Sequence, residues 1–214
     1  MMEHKCIIFD SDGVLVDSEA ISAKIFQEMA VELGVDLDYE TALDRFAGTS
    51  MKENKQFVES HITGALPADF EQEFRERTYK AYRTDLRAVP GIHELIEKLQ
   101  VPFCVASSGP VEKIRLNLGL VGLLDQFEGK IFSCYDIGSW KPEPEIYVHA
   151  AREMGFEPEE CAVIEDSDSG VRAAVAGGFP VYVRTGQKKK ASFEKLGAVP
   201  FQEMKELEEL LDLR

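Results

Sequence analysis

Only four of the 214 residues are cysteine, Cys6, Cys104, Cys134 and Cys161, and no two stand in C-x-x-C spacing. The usual sequence basis for a zinc site or a dithiol redox centre is therefore missing, and buried free thiols are the expectation. Positive charge is also scarce: 24 Lys and Arg stand against 39 Asp and Glu, a formal charge of 24 − 39 = −15. Such a chain repels a phosphodiester backbone and an anionic bilayer, so neither nucleic acid nor membrane is expected as a partner. Long apolar runs are absent too. The opening run Cys6-Ile7-Ile8-Phe9 ends at Asp10, too short for the apolar region of a secretory signal. No stretch approaches the roughly 18 apolar residues of a bilayer span. A cytoplasmic protein is expected, with no obligate protein partner evident. Neither internal repeats nor low-complexity segments occur, and 44% hydrophobic with 29% charged residues is ordinary globular composition.

The acidity sets a condition on function. A small phosphorylated substrate would feel the same repulsion as DNA, so a site for one must concentrate positive charge locally, as a lysine or a metal ion.

Four β-rich runs are each followed by a turn or helix signal: Cys6 to Phe9, Phe103 to Ala106, Cys161 to Ile164 and Val181 to Val183, with Lys130 to Ser133 a weaker fifth. They do not alternate polar and apolar residues, as expected where both faces of a parallel sheet are covered. Between them fall helical patterns over Pro90 to Leu99, Val111 to Leu118, Pro144 to Met154 and Ser169 to Ala176. This alternation predicts an α/β doubly wound, Rossmann-like sheet. From Glu19 to about Arg87 the alternation stops and only helix signals remain. Ile21, Ile25, Phe26, Met29 and Leu33 form a face ending at Gly34; Ser50-Met51-Lys52-Glu53 reads as a capping box; Pro67 to Tyr82 continues with Phe70 and Phe74. The expected organisation is an α/β core over 1–17 and 88–214 with an inserted helical domain over 18–87, hinged near Asp17-Ser18 and Val89-Pro90-Gly91. The run Lys188-Lys189-Lys190 reads as a solvated loop or helix start.

Chemistry-bearing residues collect where these strands end. Asp10-Ser11-Asp12-Gly13 follows the first strand, and two carboxylates so close need a cation or a shared proton between them. Ser107-Ser108-Gly109 follows the second strand run and opens a helix, a place suited to an anion. Lys141, in Trp140-Lys141-Pro142-Glu143-Pro144, supplies a positive charge ahead of a helix. Glu165-Asp166-Ser167-Asp168-Ser169-Gly170 ends the strand from Cys161. Each alone reads equally as a cap or a turn. Together they mark one sheet edge, where doubly wound folds bind ligands.

With those four segments in view, the sequence resembles the haloacid dehalogenase superfamily of phosphotransferases. The first motif stands as Asp10-Ser11-Asp12-Gly13-Val14-Leu15-Val16-Asp17-Ser18, the second as Ser107, the third as Lys141, and the fourth as Glu165-Asp166 with Ser167 and Gly170. The resemblance covers nearly the whole chain, and the helical insertion is similar to the cap of the β-phosphoglucomutase-like and sugar-phosphate phosphatase branch. It implies catalytic roles for Asp10, Asp12, Ser107 and Lys141, with Asp10 the nucleophile and Asp12 the acid and base. Phosphate-binding roles are implied for Ser11, Gly13, Ser108 and Gly109. Mg2+ is the implied cofactor, held by Asp10, Asp12 through its carbonyl and Asp166, with Glu165 binding it directly or through a metal-bound water. The implied reaction is hydrolysis of a small phosphorylated metabolite, a sugar phosphate or a sugar-acid phosphate such as 6-phosphogluconate, through an aspartyl-phosphate.

Alternatives remain at this level. The mutases of the branch carry a histidine four residues after the position of Ser18 and an arginine after a Gly-x-Ser, whereas this chain has Ser22 and, after Gly48-Thr49-Ser50, Met51. Asp12 speaks against a phosphonatase and a true dehalogenase. A phospho-acceptor signalling domain is a remote alternative, since receivers lack the helical insertion. Lys24, Arg45, Lys52 and Lys55 are candidate substrate contacts in the insertion and equally plain surface residues.

Overall fold

A computed structural model of the chain describes residues 4–46, 49, 51–186 and 189–212. Two compact units emerge, one formed by Met1–Asp17 with Arg87–Arg214, the other by Ser18–Leu86.

The first unit is the α/β body. Its strands are β1 (Cys6–Phe9), β2 (Phe103–Ser107), β3 (Ile131–Ser133), β4 (Cys161–Glu165), β5 (Val181–Arg184) and β6 (Val199–Phe201). The sheet order is β3-β2-β1-β4-β5-β6, every neighbouring pair parallel. The order reverses between β1 and β4, which opens a crevice beyond their carboxyl ends. All residues of β1 and β4 are buried, whereas β5, nearer the edge, alternates buried and intermediate. Uniformly apolar strands thus lie where helices cover both faces. The sixth strand is a finding: Val199-Pro200-Phe201 carries a proline with no N–H for a ladder, and an edge position tolerates it.

The helices of the chain follow in order. In the second unit they are α1 (Glu19–Glu32), α2 (Tyr39–Phe46), α3 (Met51–His61) and α4 (Phe70–Asp85). In the body come α5 (Ile92–Lys98), α6 (Val111–Leu120), the short α7 (Leu124–Phe127) and α8 (Cys134–Ile137), then α9 (Glu145–Met154), α10 (Asp168–Ala176), α11 (Lys190–Lys195) and α12 (Met204–Leu210). Cys6, Ile8, Cys104, Ala106 and Val163 form one sheet face, packed with Ile146, Tyr147 and Ala150 of α9 and Val171 and Ala174 of α10. Phe9 turns to the opposite face, where it meets the rings of Phe103 and Phe127 edge-on at 6.3 and 6.2 Å. All four cysteines are buried and free.

Two connections carry the chain between the units, and within the body they are paired. Val16 forms an antiparallel bridge with Ala88, the Asp17 N–H donates to Arg87 O at 2.9 Å, and the Val89 N–H donates to Leu15 O at 3.1 Å.

The helical unit has its own core. Phe26 on α1 is 1% exposed and touches the rings of Phe46, Phe70 and Phe74 at 4.5 to 5.5 Å. Gly34, at φ +89°, ends α1 in the left-handed conformation that a side chain disfavours. Ser50, the expected capping residue, lies outside the described residues, as do Gly48 and Lys188; α3 begins at Met51. Lys190 opens α11 with Lys189 at its N-cap. Among the candidate cationic contacts, Lys55 pairs with Glu71 at 3.6 Å and Arg45 lies 4.6 Å over the Phe57 ring. No helix among the described residues is long and apolar enough to cross a membrane.

Truncating Phe26 would hollow the centre of this small core. Phe26→Ala should lower the unfolding free energy by about 3–5 kcal/mol, read from the urea transition of the helical unit's signal.

Candidate active site

Parallel register decides which side chains meet. Phe9 is level with both Val105 and Ile164, so Asp10, one residue on, emerges beside Glu165, and its N–H still donates to Ile164 O at 2.9 Å. The next neighbour, β2, runs on to Ser107. The helical segments that follow each strand then turn the chain away, leaving these residues at the crevice.

Lys141 arrives from the loop between α8 and α9. Its Nζ donates to Asp10 Oδ1 at 2.6 Å and to Glu165 Oε1 at 2.7 Å, and reaches Ala106 O at 3.4 Å. The lysine side chain is 4% exposed, with Asp10 at 10% and Glu165 at 0%. An ammonium this deep is stable only because two carboxylates face it. Burial pushes the Asp10 carboxyl up to about 7 against the pull of Lys141, with Glu165 and Asp12 adding like-charge repulsion. Burial opposes ionisation of Glu165 too, but the Lys141 charge and the hydrogen bonds from Lys141, Ser167 and Tyr147 hold it below the ordinary carboxylate range. Lys141 is itself desolvated, yet Asp10 and Glu165 keep it charged well above the usual lysine range.

Glu165 is saturated. Oε1 accepts from Lys141 and from the Tyr147 hydroxyl at 2.7 Å; Oε2 accepts from the Asp166 N–H at 2.7 Å, the Ser167 N–H at 2.8 Å and the Ser167 hydroxyl at 2.9 Å. Five donors fill the roughly four lone-pair positions of a carboxylate. Gly170 makes room for it: a Cβ there would lie 1.7 Å from Glu165 Oε1. Ser167 also caps α10, accepting from the Gly170 N–H at 3.0 Å.

Asp10, Glu165 and Asp166 each bring a carboxylate oxygen within 4.8 Å of the others, an oxygen-only set able to hold a metal ion. Three carboxylates against the single Lys141 ammonium sum to −2, a charge that a divalent cation would balance, and hard oxygens suit magnesium. Gly13 lets Asp166 approach, since a Cβ on it would lie 1.8 Å from Asp166 Oδ2.

Asp12 stands apart from this group. Its Oδ2 accepts from Lys113 Nζ at 2.7 Å, with side chains 29% and 21% exposed. The lysine stem crosses the Ser107–Gly109 loop, where a Cβ on Gly109 would meet Lys113 Cδ at 3.3 Å and Ser107 Oγ at 3.6 Å. Ser107 is buried and its Oγ accepts from the Gly109 N–H at 3.1 Å, while Ser133 Oγ donates to Gly109 O at 2.7 Å.

Two of the residues expected at the phosphate have partners for their N–H groups within their own loops. The Gly13 N–H donates to Val16 O at 2.8 Å, closing the turn at φ +73°, and the Gly109 N–H is the one on Ser107. Both N–H groups thus help to shape their loops. Ser11 is 1% exposed, and its hydroxyl has no hydrogen-bond partner among the described residues. Ser108 is exposed, with Cys134 Sγ 3.9 Å from its hydroxyl.

A family model for haloacid dehalogenase-like hydrolases matches residues 4–178, more than half of the chain and every residue of the crevice. The chain belongs to the haloacid dehalogenase-like hydrolases. Among curated relatives, the 6-phosphogluconate phosphatase of Escherichia coli is 33% identical over 183 residues, covering 85% of this chain and 83% of that one. A haloacid dehalogenase-like protein of unknown function from Agrobacterium tumefaciens superposes with a TM-score of 0.88 at 30% identity, over 98% of each chain. A family hydrolase from Deinococcus radiodurans, solved with bound phosphate and sodium, gives 0.81 at 29% identity over 98% of this chain and 95% of that one.

In this haloacid dehalogenase-like hydrolase three neighbours of the motifs escaped sequence reasoning. Tyr147 sits on the apolar face of α9 and reads as core; Lys113 reads as a surface lysine; Arg184, which donates to Gly13 O at 2.9 Å, closes a strand with no motif. The only signal for Lys113 is its place six residues after Ser107, on the first turn of α6.

Removing Lys141 would leave Asp10 and Glu165 facing each other without their counterion. At roughly pH 8 in chelator-treated protein, Lys141→Met should cost about 3–5 kcal/mol of stability. An unchanged urea midpoint would mean that the cluster does not hold the body together.

Proposed function

We propose that this haloacid dehalogenase-type phosphoric monoester hydrolase uses magnesium and an aspartyl-phosphate to hydrolyse a small phosphorylated sugar or sugar acid, 6-phosphogluconate being the leading candidate. The observation that carries the reading is the buried Asp10–Lys141–Glu165 cluster with Asp166 beside it: Lys141 brings an ammonium to the crevice, and the net negative charge that remains would draw in the divalent cation an acidic chain needs in order to accept a phosphate. The E. coli phosphatase at 33% identity supports the substrate class, and the relative from D. radiodurans holds phosphate and a cation. Four free cysteines agree with a cytoplasmic enzyme.

Each residue takes a role from its geometry. Asp10, freed of much of its charge repulsion by Lys141, attacks phosphorus; the new Asp10–phosphorus bond forms as the ester bond to the leaving oxygen breaks. Asp12, more exposed than Asp10 and held by Lys113, enters the first step protonated and gives that proton to the leaving alkoxide; the resulting carboxylate takes a proton from the water that splits the aspartyl-phosphate and so returns to its starting form. Lys141, the Ser107 hydroxyl and the N–H groups of Ser11 and Ser108 stabilise charge on the phosphoryl oxygens. Asp10, Asp166 and the Asp12 carbonyl would hold magnesium, whose charge offsets that of the phosphate. Glu165, already saturated, acts through Lys141 and the loop after β4. The unit Ser18–Leu86, inserted directly after the Asp10 loop, serves as the cap that chooses the substrate.

Hydrolysis is preferred to phosphomutase chemistry on two residues of the helical unit. Ser22, at the position where mutases carry histidine, gives its hydroxyl to a 2.7 Å hydrogen bond with Tyr82, and Met51 has no group to clamp a second phosphate.

Asp10→Asn should fold normally and retain less than about a thousandth of parental turnover. EDTA should silence the parent enzyme and magnesium restore it; full activity in excess chelator would reject the metal assignment. In a phosphorus NMR time course, free phosphate should appear in step with loss of 6-phosphogluconate. Its kcat/KM should exceed that of neutral sugar phosphates by about tenfold or more. An isomeric sugar phosphate accumulating at constant organic phosphate would establish a mutase.

A further inference from the structure

Tyr147 is wholly buried on α9, between Ile146 and the small residues Ala150 and Ala151 of the same core, with its ring 6.1 Å from that of Phe179. Phenylalanine would fill that space as well. The hydroxyl is a polar group taken entirely out of water, a net cost unless it is matched by a partner. Its partner is Glu165 Oε1 at 2.7 Å, the same oxygen that accepts from Lys141, and the Lys141 ammonium lies 4.8 Å from the centre of the Tyr147 ring.

The sharing of that oxygen has a consequence for Lys141. The ammonium is divided between Glu165 Oε1 at 2.7 Å and Asp10 Oδ1 at 2.6 Å. Glu165 Oε2 is fixed by three donors from Asp166 and Ser167, so the balance at Lys141 depends on how much charge Oε1 still presents. A phenol proton on Oε1 spreads that charge over two donors. Without it, Oε1 draws the ammonium toward Glu165 and away from Asp10, where the phosphoryl oxygens would gather.

We propose that Tyr147 is a positioning residue for phosphoryl transfer: by donating to Glu165 Oε1 it keeps Lys141 shared with Asp10. The inference rests on the phosphatase reading above and adds to it a residue outside the four motifs.

The test is Tyr147→Phe in the magnesium-loaded full-length enzyme, assayed on p-nitrophenyl phosphate and 6-phosphogluconate, with orthovanadate binding followed by calorimetry. Loss of a hydrogen bond behind a catalytic group should lower kcat by about tenfold on both substrates, with KM nearly unchanged, and weaken vanadate by a similar factor. A packing role alone would move the melting temperature and leave the vanadate constant where it is. A variant matching the parent in both kcat and vanadate affinity overturns the proposal. Should the phenylalanine variant fold poorly on its own, Tyr147→Phe is made in a Glu165→Gln background and compared with Glu165→Gln alone, where the hydroxyl no longer meets a full charge. There its removal should change vanadate affinity by less than about twofold, and an undiminished effect contradicts the mechanism. Failure of the phosphatase reading looks different, as a parent enzyme that releases no phosphate. Vanadate binding still decides the role of Tyr147 in that case.

Discussion

A single ammonium holds the α/β body's functional edge in place. Lys141 bridges Asp10 at the end of β1 to Glu165 at the end of β4, touches the β2 carbonyl of Ala106, and does so almost without solvent. Two carboxylates on adjacent strands of a parallel sheet would otherwise repel across a distance fixed by the strand spacing. With the lysine between them they become an anchor, and the loops that leave β1 and β4 inherit defined positions from it. The residues packed behind the anchor, Gly170 against Glu165 and Gly13 against Asp166, are glycines because those carboxylates occupy the volume a side chain would need.

The division of labour between the two acidic residues after β4 follows from hydrogen-bond supply. Glu165 points into the body, where peptide N–H groups, a serine, a tyrosine and the lysine all converge on it. Asp166, one residue later, is only partly buried and turns toward the Asp10 loop. Adjacent residues in extended chain face opposite ways, so an acidic pair at a strand end naturally gives one inward strut and one outward carboxylate.

Much of this was legible from the sequence because the relevant signals are local. Strands β1, β2, β4 and β5 lie within a residue of the apolar runs that announce them, and the long helix-only interval marks the inserted unit by its periodicity. The acidic and serine segments fall at the strand ends as expected, and the lysine reaches the same edge from the loop between α8 and α9. What the sequence hides is non-local. Tyr147 looks like any core aromatic until β4 brings Glu165 to its hydroxyl, 18 positions away. Lys113 and Asp12 are 101 residues apart and meet only because α6 starts beside the Asp10 loop. The N–H groups of Gly13 and Gly109 close turns, a detail that depends on backbone direction and not on residue type. The strand β6 escaped because a proline in a three-residue run contradicts strand propensity.

The paired connections at Val16 and Ala88 make the insertion a closed loop in the polymer sense, since its entry and exit are one hydrogen bond apart, 2.9 Å between Asp17 N and Arg87 O. The conformational cost of closing a loop whose ends are already clamped rises only with the logarithm of its length, about 0.6 kcal/mol for each doubling. The sheet is therefore nearly indifferent to what is spliced in at that point. Helices there are free to lengthen, shorten or change their chemistry without disturbing strand register or the lysine anchor. A scaffold of this kind diversifies by exchanging its insert while the strands and the lysine anchor stay as they are.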